Sequence, residues 1–324
     1  MKSRSVLMIA DVEGWAYDFI AKSISSKFRK YEATTVYFRD LIRGSDSADA
    51  SEYDVVMGFF WYDMLLRGYL VENLDINKVC VTVQSHNSWL KRGLTVEEVG
   101  NLLSGYPAIG FSSEKLMSKF PNMDNGFYAP TGFEPKKFFP RPLPPFEGKL
   151  KVCWAGDPET SHHGDVKGFY QHILPAIESL DFVELITTTK ANPIKHSKMG
   201  DFYERGHLYL CMSANEGTPM PLLEAMACGR PVISTNAGIA TEVVDSECGW
   251  LIPRTTDDLI GALQESYKNI NKLQRMGANA FKKVEDRVAD WSAMYYEKMF
   301  DYVWENNEVN RRERFKRDSK VRVR

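Results

Sequence analysis

The sequence predicts an α/β protein of two doubly wound halves with a helical C-terminus, from three observations. The chain has 324 residues, against about 100 to 200 for one domain. Short β-branched or aromatic runs alternate with longer amphipathic stretches, the pattern of βα units on a parallel sheet. Between the halves lie Pro135, Pro140, Pro142, Pro144 and Pro145, a stretch unsuited to a helix or a central strand.

In the first half the strand-like runs fall at residues 5–10, 34–38, 54–60, 79–84, 108–111 and 126–129, with helical patterns between them such as 17–27. The second half restarts with a strand at 150–155, a helix over 166–180, strands at 182–186 and 208–213, a helix over 221–228 and a strand at 231–234. A strand at 250–252 follows, then Leu259, Leu263 and Tyr267 at helical spacing, then a helix over 291–304. The expected division is a first domain of 1–134, a linker of 135–149, a second domain of 150–287, a helix over 288–310 packing back towards the first domain, and a tail at 311–324.

Composition is that of a soluble globular protein, 44% hydrophobic and 26% charged. The net charge of −2 conceals a basic end: residues 311–324 hold eight Lys/Arg and two Asp/Glu, a charge of +6 that leaves −8 on the rest. Such a tail is either a solvated end or an attraction for acidic lipid or polyphosphate, and the acidic remainder argues against a nucleic-acid partner. Cys80, Cys153, Cys211, Cys228 and Cys248 are scattered singly with no C-x-x-C pair, as expected of reduced core cysteines in the cytoplasm. The run Val6 to Ala10 is too short for a secretory signal, and no run approaches the roughly 20 apolar residues of a membrane span. The expected location is cytoplasmic, with any membrane contact peripheral and through the tail.

The stretch Ser213 to Thr235 carries most of the chemical information, reading as strand, loop, short helix, tight turn and strand. Pro219 or Pro221 suits the first turn of a helix, where a missing N–H costs nothing, and Gly229 suits its left-handed stop. The helix then aims its N-terminus at Glu216-Gly217-Thr218, beyond the carboxyl end of the preceding strand. In open α/β sheets ligands bind there, and a helix N-terminus favours a phosphate or diphosphate, which Gly217 lets approach the main chain. Glu216 and Glu224 offer carboxylates to sugar hydroxyls. By themselves they read equally well as a capping and a dipole-stabilising residue.

The composite pattern resembles the E-x7-E signature of the retaining GT-B glycosyltransferases of glycosyltransferase family four. The signature continues here as Ala225-Met-Ala-Cys-Gly229, Gly229-Arg-Pro-Val232 and Gly238-Ile-Ala-Thr-Glu242. The resemblance implies two Rossmann-like domains facing across a cleft, with Glu224 on the donor's ribose, Glu216 on the transferred sugar, and Gly217, Thr218, Pro219 and Met220 giving main-chain contacts to sugar and phosphate. It extends to Thr131 through Pro140, similar to the family's segment entering the linker. It also extends to Gly156 with Lys167-Gly168, where the lysine binds the diphosphate, to the Gly14 loop after the first strand, and to His86 at a place where the family often has a histidine contacting the sugar. Where family members often carry an arginine after the strand-end glycine, this chain has Asp157; either another base such as Lys190 or Arg230 substitutes, or Lys167 and the helix N-terminus suffice.

What the resemblance implies is transfer of a sugar, with retention, from a UDP- or GDP-sugar to an acceptor hydroxyl of a cell-surface glycan or glycolipid in polysaccharide biosynthesis. A DNA- or protein-modifying transferase, a nucleotide-sugar epimerase and a non-catalytic nucleotide-binding scaffold are the alternatives. His162 and His163 are read as a loop pair, and neither a histidine metal signature nor an Asp-x-Asp occurs, so the expectation is no metal and no cofactor.

Overall fold

The computed structural model describes residues 3–158 and 165–321, the side chains of residues 87 and 309–321 excepted; His162 and His163 lie outside the described residues. The chain divides into two compact units. The first holds the residues up to Gln84, Ser88–Pro130 and the chain from Asp290, and the second holds Ser85–Asn87 and Thr131–Ala289.

In the first unit β1 (Arg4–Ala10), β2 (Tyr31–Tyr37), β3 (Val55–Gly58), β4 (Val79–Val83), β5 (Ala108–Phe111) and β6 (Gly126–Tyr128) form one parallel sheet in the order β2-β1-β3-β4-β5-β6. The run Val6 to Ala10 is wholly buried because both faces of this sheet are covered. Val6, Met8 and Ala10 pack with Ile20, Ala21 and Ile24, while Leu7 and Ile9 face the cluster of Val56, Trp61 and Met64. β2 begins three residues before the expected strand because Tyr31 pairs with Arg4, the first residue of β1.

The C-terminal helix Ala289–Val321 also belongs to this unit for all but its first residue, and it continues beyond the apolar pattern of 291–304 into the basic stretch. Tyr296, Met299 and Phe300 join the cluster on the Val6 face. Glu297 Oε1 accepts from the Arg29 and Lys30 backbone N–H groups at 2.7 Å each, and the Arg4 guanidinium lies 3.7 Å from the Trp304 ring centroid.

In the second unit β7 (Leu150–Ala155), β8 (Val183–Thr188), β9 (Leu208–Cys211), β10 (Val232–Thr235) and β11 (Gly249–Ile252) form a parallel sheet in the order β11-β10-β9-β7-β8. One face packs on the helix Met220–Ala227 and the other on the helix Thr256–Lys268. The proline-rich stretch lies in this unit and is bound to it: Arg141 N–H donates to Cys228 O, and its guanidinium pairs with Asp201 and Glu204. The helix expected over 166–180 is instead a wide π-turn, Phe169–Ile173, followed by Leu174–Glu178. Pro175 has no N–H to close a regular turn onto residue 171.

Each sheet reverses its direction of growth once, between β1 and β3 and between β7 and β9. Crevices at the carboxyl ends of such strands are where open α/β sheets take ligands. Among the described residues no helix is long and apolar enough to cross a membrane.

Candidate functional site

The crevice between the ends of β7 and β9 brings together residues far apart in sequence. The turn after β7 carries Lys167, and the loop after β9 carries Glu216; their ammonium and carboxylate form a direct ion pair. Their side chains keep 32% and 14% of their surface exposed. Burial alone lowers the Lys167 pKa, but the charge and hydrogen bond of Glu216 outweigh it, and the net shift is upward. The lysine is therefore a fixed positive charge at the reversal point of the sheet.

The Lys167 turn is shaped by its neighbours. Gly168 has φ of +72°, and a Cβ there would lie 2.5 Å from Met212 O at the end of β9. Ala214 N–H donates to Val166 O at 2.9 Å, so the two loops are also joined by the main chain.

On the far side of the Glu216 loop lies Gly238, with φ of +55°. A Cβ there would sit 2.0 Å from Gly217 O, and the next N–H, of Ile239, donates to that oxygen at 3.0 Å. Only glycine allows the Glu216-Gly217 backbone to be pressed against this turn. Glu242, at the end of the same motif, pairs with Arg287 at 3.1 Å. Thr218 precedes Pro219, the N-cap of the helix Met220–Ala227; Pro221 sits in the first turn, and Pro219 itself makes no side-chain capping hydrogen bond. The N-terminus thus opens beside Glu216 with the partial positive charge of a helix start.

Glu224 is placed differently from Glu216. It is 3% exposed, its Oε2 accepts from the Tyr203 hydroxyl at 2.8 Å, and its Oε1 lies 2.8 Å from His196 Nε2. Phe138, from the stretch between Thr131 and Pro140, packs against both partners, 5.5 Å from the His196 ring centroid and 6.3 Å from that of Tyr203. Glu224 is therefore no exposed dipole-stabilising residue but the acceptor of a built hydrogen-bond site, with the His196 side held by a partly exposed ring.

The remaining candidates are more dispersed. Gly156 N–H donates to Thr188 O at 3.1 Å as a continuation of the sheet. Gly14 lies in the first unit after β1, and its N–H donates to the buried Asp18 carboxylate at 2.8 Å, which fixes that loop. His86 follows β4 and is 8% exposed. Arg230 does not replace a diphosphate-binding arginine: it is fully buried, and its guanidinium is occupied by the carbonyls of Cys228, Gly206, Arg141 and Pro142. Lys190 is exposed in the turn after the edge strand β8. All five cysteines are buried and free, and burial pushes the Cys153 and Cys228 thiols up to about 12. Among the described residues no group of three His, Cys, Asp or Glu is arranged to hold a metal ion.

Tyr203, His196 and Arg254 were not picked out by the sequence. Arg254 follows β11 and reaches the Lys167 turn, donating to Asp165 O at 2.5 Å and to Met212 O at 3.0 Å. No local motif marks any of the three.

Residues 187–283, which include Glu216, Glu224, Gly238 and Arg254, match the family described as Glycosyl transferases group 1. The sucrose-phosphate synthase of Thermosynechococcus elongatus superposes with a TM-score of 0.74 over 94% of this chain and 100% of its own, at 13% identity. The fold is GT-B. A second GT-B structure, Anabaena HepE in complex with UDP and glucose, gives a TM-score of 0.66 over 92% of this chain and 99% of that one, at 12% identity. By sequence, the MMP alpha-(1->4)-mannosyltransferase of Mycolicibacterium hassiacum is 34% identical over 85 residues, which is 25% of this chain. The chain spans 20% of that mannosyltransferase's length. The family match over residues 187–283 lies within the second of the two units and includes Glu216 but not Lys167.

Proposed function

We propose that this protein is a retaining glycosyltransferase that moves a sugar from a nucleoside-diphosphate-sugar to an acceptor hydroxyl. The observation that carries the reading is the Lys167–Glu216 ion pair at the reversal point of the second sheet, on the loop that leads into a helix whose N-cap is a proline. A diphosphate entering there meets the Lys167 ammonium and the helix dipole, both in place before the glycosidic bond breaks. Charge that develops on the leaving phosphate is then stabilised with little reorganisation.

In this reading Glu216 lies at the sugar and Gly217, Thr218, Pro219 and Met220 line the sugar and phosphate with main chain. Glu224 accepts from the ribose hydroxyls, held in place by Tyr203. As the bond to the diphosphate lengthens, the Glu216 carboxylate favours the oxocarbenium-like carbon, and the acceptor hydroxyl attacks from the face the diphosphate leaves. The acceptor proton passes to the departing phosphate oxygen, so charge balances without a covalent enzyme intermediate. Lysine and helix dipole do the work that a divalent ion does elsewhere, so the reaction needs no metal. His86, after β4, and the Gly14 loop, after β1, are further candidates of this reading.

The UDP and glucose held by HepE make a uridine nucleotide the first donor to test, with GDP-sugars second. The acidic balance of the chain outside residues 311–324 favours a glycan or lipid-linked saccharide over nucleic acid as acceptor, with the basic tail as a peripheral membrane contact. Titration calorimetry of UDP, GDP and their sugar conjugates, without added metal, tests the donor site. Binding of one nucleotide that weakens in Lys167→Ala and Glu224→Ala is the expected result. Absence of any binding contradicts the reading, and binding with no turnover points to a nucleotide-binding scaffold.

A further inference from the structure

We infer that Arg254 is the positioning residue of the Lys167 turn, acting on the diphosphate only through the lysine it holds in place. The side chain follows β11 and reaches both the turn around Lys167 and the residue after β9. Its Nη2 donates to Asp165 O at 2.5 Å, its Nε to Met212 O at 3.0 Å and its Nη1 to Gln171 Oε1 at 3.1 Å. These three acceptors lie on the turn that precedes Lys167, on the strand end that precedes Glu216, and on the π-turn that follows Lys167. One rigid guanidinium fork therefore fixes the distance between the two loops whose side chains form the ion pair.

Further bonds make the turn a single body. The Asp165 carboxylate accepts from the backbone N–H groups of Phe169 at 2.9 Å and Gln171 at 2.7 Å, closing the turn around Lys167. Thr256 Oγ1, two residues beyond Arg254, donates to Gln171 O at 3.3 Å and lies 3.3 Å from His172 Nδ1. The segment 254–256 thus grips both ends of the Lys167 turn. All three Arg254 bonds go to protein oxygens on the turn and strand, which assigns it to holding Lys167 and leaves the phosphate contact to the lysine.

The effect on a diphosphate rests on the proposed donor site, whereas the effect on the turn does not. Two measurements on the full-length protein separate them. The first compares wild type with Arg254→Ala and Arg254→Lys by amide hydrogen exchange over 165–171 and by the rate at which acetic anhydride modifies Lys167. Loss of the fork is expected to raise exchange of these amides and labelling of Lys167 roughly tenfold, the scale of a lost hydrogen bond to a charged group. Amides of β1 to β6 should not change. The lysine variant keeps the charge without the fork and should show most of the effect; it serves if the alanine variant fails to fold. Unchanged exchange and labelling over the turn overturns the inference.

The second measures dissociation constants of UDP and of uridine. UDP is expected to weaken roughly tenfold in Arg254→Ala with uridine unchanged, and the substitution should add nothing in a Lys167→Ala background. Equal weakening of UDP and uridine, or a full effect without Lys167, overturns it. If wild type binds neither, the donor reading fails and the exchange and labelling results alone decide the role of Arg254.

Discussion

The Tyr203 hydroxyl donates to Glu224 Oε2 at 2.8 Å and so fixes a carboxylate that is almost wholly buried. Burial, reinforced by the Glu224 charge, raises the Tyr203 pKa well above its ordinary value, so the phenol remains a donor at every working pH. Tyr203→Phe leaves that oxygen without its donor. The expected loss is about 1.5–3 kcal/mol of stability in urea unfolding, the scale of a hydrogen bond to a charged group. A stability equal to wild type would show that Glu224 finds a replacement donor.

Lys167 makes a prediction in alkaline solution. Its folded-state pKa is raised above the ordinary 10.5, because Glu216 outweighs burial. The folded protein therefore holds this proton more tightly than the unfolded chain. The resulting stability is fully present below the ordinary value and is lost as pH rises through the folded-state value. Unfolding free energies measured across that window should fall less in Lys167→Met than in wild type. Parallel curves would contradict the coupling.

Gly238→Ala places a methyl group against Gly217 O and a side chain in the left-handed region. At least ~1–2 kcal/mol of destabilisation follows from the backbone alone. Because the Glu216–Gly217 loop must move to admit the methyl, donor affinity should fall further than thermal stability explains. Calorimetry beside thermal melting distinguishes the two, and unaltered affinity would mean that the loop is not pressed into its working position by this turn.

Arg230→Met tests a buried cation that holds carbonyls rather than anions. The variant strips donors from Gly206, Cys228, Arg141 and Pro142 at about 1–3 kcal/mol for each oxygen left unpaired. A loss of at least ~3 kcal/mol is expected in chemical denaturation. A merely exposed arginine would cost a few tenths of that.

The parallel strands were legible in the sequence because strands covered on both faces read as apolar runs, as Val6 to Ala10 does. The start of β2 was not, since Tyr31-Glu32-Ala33 is placed by pairing with β1 and not by its own composition. Glu216, Glu224 and Lys167 were singled out only through the resemblance of their segments to a known family, since the residues by themselves read equally well as structural. What surrounds Glu224 did not, because Tyr203 and His196 lie on other elements, 21 and 28 residues away in the chain. Arg254 and Arg230 were equally invisible as structural clamps. Their acceptors are mostly main-chain carbonyls, which every residue carries and no motif marks.

Retaining transfer from a nucleotide sugar is the central claim, and proton NMR of a reaction with a UDP- or GDP-sugar of defined anomeric configuration and a panel of saccharide acceptors tests it most directly. The account predicts a glycoside with the donor's anomeric configuration, abolished in Lys167→Ala and Glu216→Ala. A product of inverted configuration, or full turnover in either variant, would contradict it.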